Sequence, residues 1–412
     1  MNLYLFNDND SAYTYGIGTY LKELTESLES TTIHVHIVHL HSVRSEFEIV
    51  KTKKIEHWYI PEVKNNNTLS GSVQKVNGYL LNVSYLLWLN IKDTKNLVFH
   101  FNYNTSQPLA KELKMKFNCK TVATVHYLKW ELDFQGNLNK FHTLKLKSEN
   151  KKTKLEKSIY TMYKYESLLF KEVDYVIVLS QNMKNFLCSE YQIDLKKMTI
   201  ISNGLSDITS ISKNDNAVLR KKWHLSEKES LLLFAGRLDP VKGLLFLIRA
   251  FRKVLEVIPE CRLIIAGSGL YDTYFQEAED IWTKITFTGL LEKQKLFEFY
   301  QIADIGVVPS LYEPFGYVAV EMMMHELPII ATATSGLNEV VDDSCGLKIP
   351  IIESDDKVEI DTDLLSEKII YLLEHPIEAK QLGKNAREKY LKYYSSEVFR
   401  RNMMDFYQSL YE

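Results

Sequence analysis

The sequence predicts an α/β protein of two Rossmann-like domains, each built on a parallel sheet. Three observations carry this. The chain has 412 residues, too many for one ordinary core, and length alone suggests two domains of roughly 200 residues. Short apolar strands alternate with amphipathic helical stretches, the pattern of parallel sheets covered by helices on both faces. The alternation comes as two series, separated by the polar stretch SDITSISKNDNAV (206–218).

The first series opens with LYLF (3–6), a loop, and a helix from about Ile17. Ile17, Tyr20, Leu21, Leu24 and Leu28 form its apolar stripe at helical spacing. IHVHIV (33–38), LVFHF (97–101), TVATVH (121–126), YVIVLS (175–180) and MTIIS (198–202) follow as strands. The second series is LLLFAG (231–236), RLIIAG (262–267), ITFTG (285–289), IGVVPS (305–310) and PIIAT (328–332), with helices from Lys242, Tyr271, Gln294, Gly316 and Leu337. The expected division is a first domain over 1–206, a linker over 207–218, a second domain over 219–392 and a last helical stretch over 393–412. No internal repeat at a solenoid period is visible.

Composition narrows the class. The chain is 45% hydrophobic and 25% charged with net charge −3, a globular composition without the basic field of a nucleic-acid binder. Four scattered cysteines with no CxxC pair fit a reduced compartment and argue against a zinc site or disulfide framework. MNLYLFNDND has no basic start and reads as a first strand, not a signal peptide. GYLLNVSYLLWLNI (78–91) is 14 residues long with Asn82, Ser84 and Asn90 inside, too short and polar to span a bilayer. A cytoplasmic enzyme is expected, with peripheral membrane contact left open. That contact would fall on residues 139–164, where eight Lys stand against two Glu. The stretch admits two readings, a solvated helical face or a docking surface for anionic lipid or an acidic acceptor.

Ligands of open α/β sheets bind beyond the carboxyl ends of the strands, so the loops after the strands carry the candidate chemistry. In FAGRLDPVKG (234–243), Asp239 and Pro240 look like the N-cap and first position of a helix. Arg237 and Lys242 flank that turn. Two cations and a helix N-terminus make a diphosphate site. AGSG (266–269) reads as a tight turn or as a close approach to a nucleotide. In YEPFGYVAVEMM (312–323), Pro314 and Gly316 keep Glu313 out of the helix and at its mouth, while Glu321 lies within it. A carboxylate only accepts hydrogen bonds, so Glu321 could hold the two hydroxyls of a ribose. The N–H groups of Phe315 and Gly316 could serve sugar hydroxyls or charge growing on a departing phosphate. Glu339 in TSGLNEVV (334–341) reads as a helix-start carboxylate.

In the first half, Gly16 and Gly18 stand at a helix start after the first strand, where backbone can approach an anionic group. His126 ends a buried strand, and that position favours function. His100 is a weaker candidate of the same kind, and Asn203 with Gly204 suits a turn.

Taken in order, GRLDPVKG, AGSG, EPFGYVAVE and SGLNEVV resemble the family-4 glycosyltransferases, whose two facing Rossmann-like domains form the GT-B fold. The resemblance covers most of the chain and is strongest from Phe234 to Val341. It implies a nucleotide diphosphate sugar as donor substrate, retention at the anomeric carbon, and neither metal nor other cofactor. It implies that Arg237, Lys242 and Gly16 hold the donor diphosphate. It gives the transferred sugar to Glu313, Phe315 and Gly316, the ribose to Glu321, and a place near donor sugar and acceptor to His126. The last helix, about 395–411, would cross back onto the first domain. Two departures stand out. Tyr15 precedes Gly16 where the family has paired glycines, and Glu326 in MHELP replaces a glycine, weakening the expected helix stop.

The expected function is thus a retaining hexosyl-type transfer from a UDP- or GDP-sugar to a hydroxyl of a glycan, lipid-linked or peptide acceptor. No carboxylate pair is arranged for hydrolysis, which argues against a glycosidase. Two alternatives stay open: a phosphorylase or sugar-nucleotide isomerase of the same fold, and a non-catalytic sugar-nucleotide-binding partner. Orthophosphate-dependent turnover or epimerised nucleotide would mark the first. The second has no need to keep Arg237, Lys242, Glu313 and Glu321 together.

Overall fold

The computed structural model describes residues 1–7, 16–29, 31–52, 54–62, 73–209 and 215–412. The chain divides into two compact units. One comprises Met1–Trp130, Lys147–Gly204 and Ser396–Glu412; the other comprises Glu131–Leu146 and Leu205–Ser395. The second unit therefore includes a stretch that lies in the first half of the sequence.

The first unit is built on an eight-stranded sheet of β1 (Asn2–Asn7), β2 (His34–Ser42), β3 (Glu48–Thr52), β4 (Ile55–Pro61), β5 (Leu97–Phe101), β6 (Cys119–Val125), β7 (Tyr175–Val178) and β8 (Met198–Ile200). Their order is β3-β4-β2-β1-β5-β6-β7-β8, and all pairs are parallel except the β3–β4 hairpin. Strands β1 and β5 are buried along their whole length, as expected of a parallel sheet covered on both faces. The sequence reading missed β3 and β4. The residues EIVKT of β3 are exposed or half-exposed, so this edge strand carries no buried apolar run to detect, and in β4 the apolar run is only Trp58–Ile60, after the polar Glu56 and His57. The helix Gly16–Leu28 buries Tyr20, Leu21, Leu24 and Leu28 against this sheet, and the helix Ser396–Ser409 adds Phe399, Met403, Phe406 and Tyr407 to the same core.

The second unit has a six-stranded, all-parallel sheet of β9 (Ser230–Ala235), β10 (Cys261–Ala266), β11 (Ile285–Gly289), β12 (Ile305–Val308), β13 (Ile329–Thr332) and β14 (Gly346–Ile349). The order is β11-β10-β9-β12-β13-β14. The chain builds outward from β9 one way and from β12 the other, so the strand order reverses between these two neighbours, where ligands of such sheets bind. A small antiparallel pair, β15 (Ile351–Glu353) and β16 (Val358–Ile360), lies outside the main sheet. Strands β14 to β16 were missed because each is short and carries a charged residue, in GLKI, IIE and VEI, so none stands out as an apolar run.

The Lys-rich stretch is mostly helical, in Leu138–Leu146 and Lys154–Glu172. Thr153 and Glu156 start the longer helix with a reciprocal capping box. Several of the lysines are engaged within the chain: Lys147 with Glu156 at 2.8 Å, and Lys152 with Glu149 at 3.5 Å and over the Tyr160 ring. Among the described residues no helix is long and apolar enough to cross a membrane. Residues 210–214 of the expected linker lie outside the described residues, and a helix already begins at Asn216.

Candidate active site

Three loops at the carboxyl ends of β9, β12 and β13 meet in the second unit. The loop after β9 differs from the sequence reading. Asp239 caps only a short 3₁₀ turn, Pro240–Lys242, by accepting from Val241 N at 3.0 Å. The α-helix begins two residues beyond the expected Lys242, at Leu244. Gly243 separates the two at φ +68, and a Cβ there would lie 1.8 Å from Pro309 O. Only glycine permits both that backbone and that approach. Its closeness to Pro309 holds the 3₁₀ turn against the end of β12, and Leu311 N donates to Val241 O at 2.7 Å.

This contact brings Lys242 to Glu313. The Lys242 ammonium donates to Glu313 Oε2, with the two side chains 22% and 15% exposed. The sequence reading gave these residues separate tasks; the structure joins them as an ion pair. Arg237 is more exposed and stands 3.6 Å from Asp239 Oδ2.

The loop after β13 completes the floor. Thr334 Oγ1 donates to Leu311 O at 2.9 Å, and Leu337 N donates to Glu313 O at 3.2 Å. A Cβ on Gly336 would fall 1.9 Å from Pro314 O, so this glycine is needed for the loops to touch. Gly316, at φ +100, is the N-cap of the helix Tyr317–Met324. No described residue accepts a hydrogen bond from the N–H of Phe315 or Gly316, which leaves a helix N-terminus suited to an anion or a hydroxyl.

Glu321 is the fifth residue of that helix, so only about 7.5 Å of helical rise separates it from the N-cap residue. It is buried, accepts from Tyr300 OH at 2.9 Å, and lies 3.9 Å from Lys293 Nζ. Burial raises its carboxyl above the ordinary range, against the Lys293 charge and the Tyr300 bond. Tyr300 and Lys293 escaped the sequence reading because neither belongs to the motif.

The AGSG turn has a structural explanation. A Cβ on Gly267 would lie 1.7 Å from Gly236 O, and one on Gly269 2.4 Å from Leu238 O. The turn packs directly on the loop after β9, with Leu238 N donating to Ser268 O at 2.8 Å.

In the first unit, His126 follows β6 and is 8% exposed. Its Nε2 bonds Asn102 Oδ1 at 3.1 Å, while Asn102 Nδ2 donates to Phe6 O at 3.3 Å. The amide oxygen is thereby the acceptor, so Nε2 carries the proton and Nδ1 the lone pair. Burial pushes His126 down to about 3, making it neutral at ordinary pH. His100 is tied through both ring nitrogens, to Tyr407 OH and Thr124 Oγ1 at 2.7 Å each, and joins two strands to the last helix as a structural residue. Asn203 is buried, and no described residue partners its Oδ1. Gly16 opens the helix Gly16–Leu28 and is exposed. Thr14 and Tyr15 lie outside the described residues.

Two family descriptions match the chain: Glycosyltransferase Family 4 over residues 14–207, and Glycosyl transferases group 1 over residues 215–389. The chain belongs to the GT-B glycosyltransferases of family 4. An uncharacterized glycosyltransferase of Methanocaldococcus jannaschii is 34% identical over 173 residues, 40% of this chain and 44% of the relative. The aligned stretch thus spans under half of that relative's length. Sucrose-phosphate synthase from Thermosynechococcus elongatus superposes with a TM-score of 0.77 at 23% identity, over 100% of this chain and 99% of that one. Anabaena HepE, solved in complex with UDP-glucose, gives 0.70 at 14% identity over 99% and 100%. These two likenesses speak for the fold.

Within this GT-B family the chain departs at Glu326, and the structure shows how the helix stop survives. The helix ends at Met324, and Glu326 itself adopts the left-handed φ of 58°. The strain is borne by a non-glycine residue.

Proposed function

We propose that the protein transfers a hexosyl-type sugar from a UDP- or GDP-sugar to a hydroxyl acceptor, with retention and without a metal, in glycan or glycoconjugate biosynthesis. The observation that carries this reading is the meeting of Lys242 and Glu313 where the strand order of the second sheet reverses. A cation and a carboxylate paired there neutralise each other until a ligand separates them. A donor diphosphate would draw Lys242, with Arg237, onto its oxygens. Glu313 would then be free for the hydroxyls of the transferred sugar and for positive charge at its anomeric carbon.

The cations and the N–H groups of Phe315 and Gly316 would stabilise charge growing on the departing diphosphate. Glu321 would take the ribose hydroxyls, and Gly16 would approach the phosphates. The acceptor hydroxyl would attack the face that the diphosphate leaves, passing its proton to a phosphate oxygen, so no dedicated base is needed. His126, neutral and with Nδ1 as acceptor, would receive a hydrogen bond from a sugar hydroxyl. The binding of UDP-glucose by HepE supports a uridine donor. The acceptor stays at the level of class: a glycan, lipid-linked or peptide hydroxyl.

The test is nucleotide diphosphate release from a panel of UDP-, GDP- and ADP-sugars, with a chelator present and no acceptor added. One sugar nucleotide should stand out, and its signal should vanish in Glu313→Ala. Turnover that needs orthophosphate, or that disappears with the chelator, would overturn the reading.

A further inference from the structure

We propose that Glu166, on the helix Lys154–Glu172 of the first unit, is a positioning residue that sets the loop Tyr127–Lys129, and with it His126, for the transfer reaction. The inference rests on the functional reading above, which gives His126 a part in that reaction.

Glu166 is fully buried. Its Oε1 accepts from Lys129 N and from Asn104 Nδ2, both at 2.9 Å, and its Oε2 accepts from Tyr191 OH at 2.8 Å. Asn104 Nδ2 also donates to Tyr127 O at 2.9 Å. One carboxylate thus gathers both ends of the three residues that follow His126. Leu128, the middle one, is fully buried, and the next residue, Trp130, stacks on Phe186 with ring centroids 5.4 Å apart.

The loop leaves β6 just where the strand ladder ends, so its backbone groups need other partners. A carboxyl group suits the place because its two oxygens accept from three donors here. It is nonetheless a costly anchor, since burying so polar a group is expensive even when it is hydrogen-bonded. An apolar filler would serve packing at lower cost. The expense is concentrated under the loop that carries His126, where a supporting shell fixes a functional side chain. His126 itself is held by Asn102. Asn102 and Asn104 both come from the segment HFNYN (100–104), which ends β5 and leads out of it, and neither asparagine was given a task from sequence.

The test combines amide hydrogen exchange of the peptide spanning 126–130 with steady-state kinetics on the preferred sugar nucleotide. Glu166→Ala should speed exchange of that peptide. It should also lower kcat by about 10²-fold, the scale of a small misplacement, with donor KM changed by less than about twofold. Glu166→Gln keeps an oxygen for Lys129 and Asn104 and should restore both protection and most of kcat. If Glu166→Ala does not fold, Tyr191→Phe, which removes one bond, should shift both readouts in the same direction by roughly fivefold. Normal exchange in Glu166→Ala, or faster exchange with unchanged kcat while His126→Ala is inactive, would overturn the proposal. A wild type that turns over no sugar nucleotide defeats the functional reading instead, and exchange alone then decides whether Glu166 sets the loop.

Discussion

Lys242 and Glu313 come from loops 71 residues apart in sequence and form a half-buried ion pair at the head of adjacent parallel strands. Gly243, pressed on Pro309, is what lets them meet. Their coupling is measurable. In a double-mutant cycle of Lys242→Met and Glu313→Gln, urea unfolding should give an interaction of roughly 0.5–3 kcal/mol, the range for residues in direct contact. Each single change leaves a partner unpaired, so the double variant should be more stable than the singles add up to. Simple additivity would mean that the pair contributes nothing in solution.

Glu313→Ala should lower turnover of the preferred sugar nucleotide by roughly 10²–10³, the cost of one lost transition-state contact. Donor binding should survive, because Lys242 is then released to the diphosphate. Near-normal turnover in stopped or continuous assays would remove Glu313 from the chemistry.

Glu326→Gly should raise stability. A side chain at φ 58 costs about 1–2 kcal/mol relative to a glycine, part of which is returned as unfolded-state entropy. A net gain of roughly 1 kcal/mol is expected from the thermal or urea midpoint, with activity unchanged. A loss would place the strain elsewhere.

Burial raises Glu166 from 4.5 to about 7 in the folded protein, opposed by its bonds to Lys129 N, Tyr191 and Asn104 and by the Lys129 charge. The folded state therefore holds this proton more tightly than the unfolded chain. The contribution is most favourable below the unfolded value and is lost as pH rises through the folded one. Glu166→Gln does not titrate. Its stability relative to wild type should therefore improve by about 3 kcal/mol between pH 4.5 and pH 8, the free energy of holding one proton more tightly across that window. A pH-independent difference would mean that the carboxyl titrates normally.

Most of the fold was legible because buried parallel strands are apolar runs and their helices are amphipathic. LVFHF and ITFTG occupy the residues read as strands. Strand β3 was not legible, since the exposed edge strand EIVKT has no buried apolar face, and β4 has only the short run Trp58–Ile60. The second-unit motifs named the loops that converge, but not how. The 3₁₀ turn before Leu244 and the Lys242–Glu313 pair arise from a contact between Gly243 and Pro309 that no local pattern encodes. Tyr300 and Glu166 were invisible for the same reason. Each acts through a partner distant in sequence, Glu321 for one and Asn104 and Lys129 for the other.

The central claim, that a sugar nucleotide separates Lys242 from Glu313, is tested most directly by equilibrium binding of UDP-glucose and its GDP and ADP counterparts to wild type and Lys242→Met. One nucleotide sugar should bind wild type and lose at least about tenfold in affinity in the variant, as expected for one charge-assisted contact. Equal affinity in the two proteins, or no binding by either, would contradict the account.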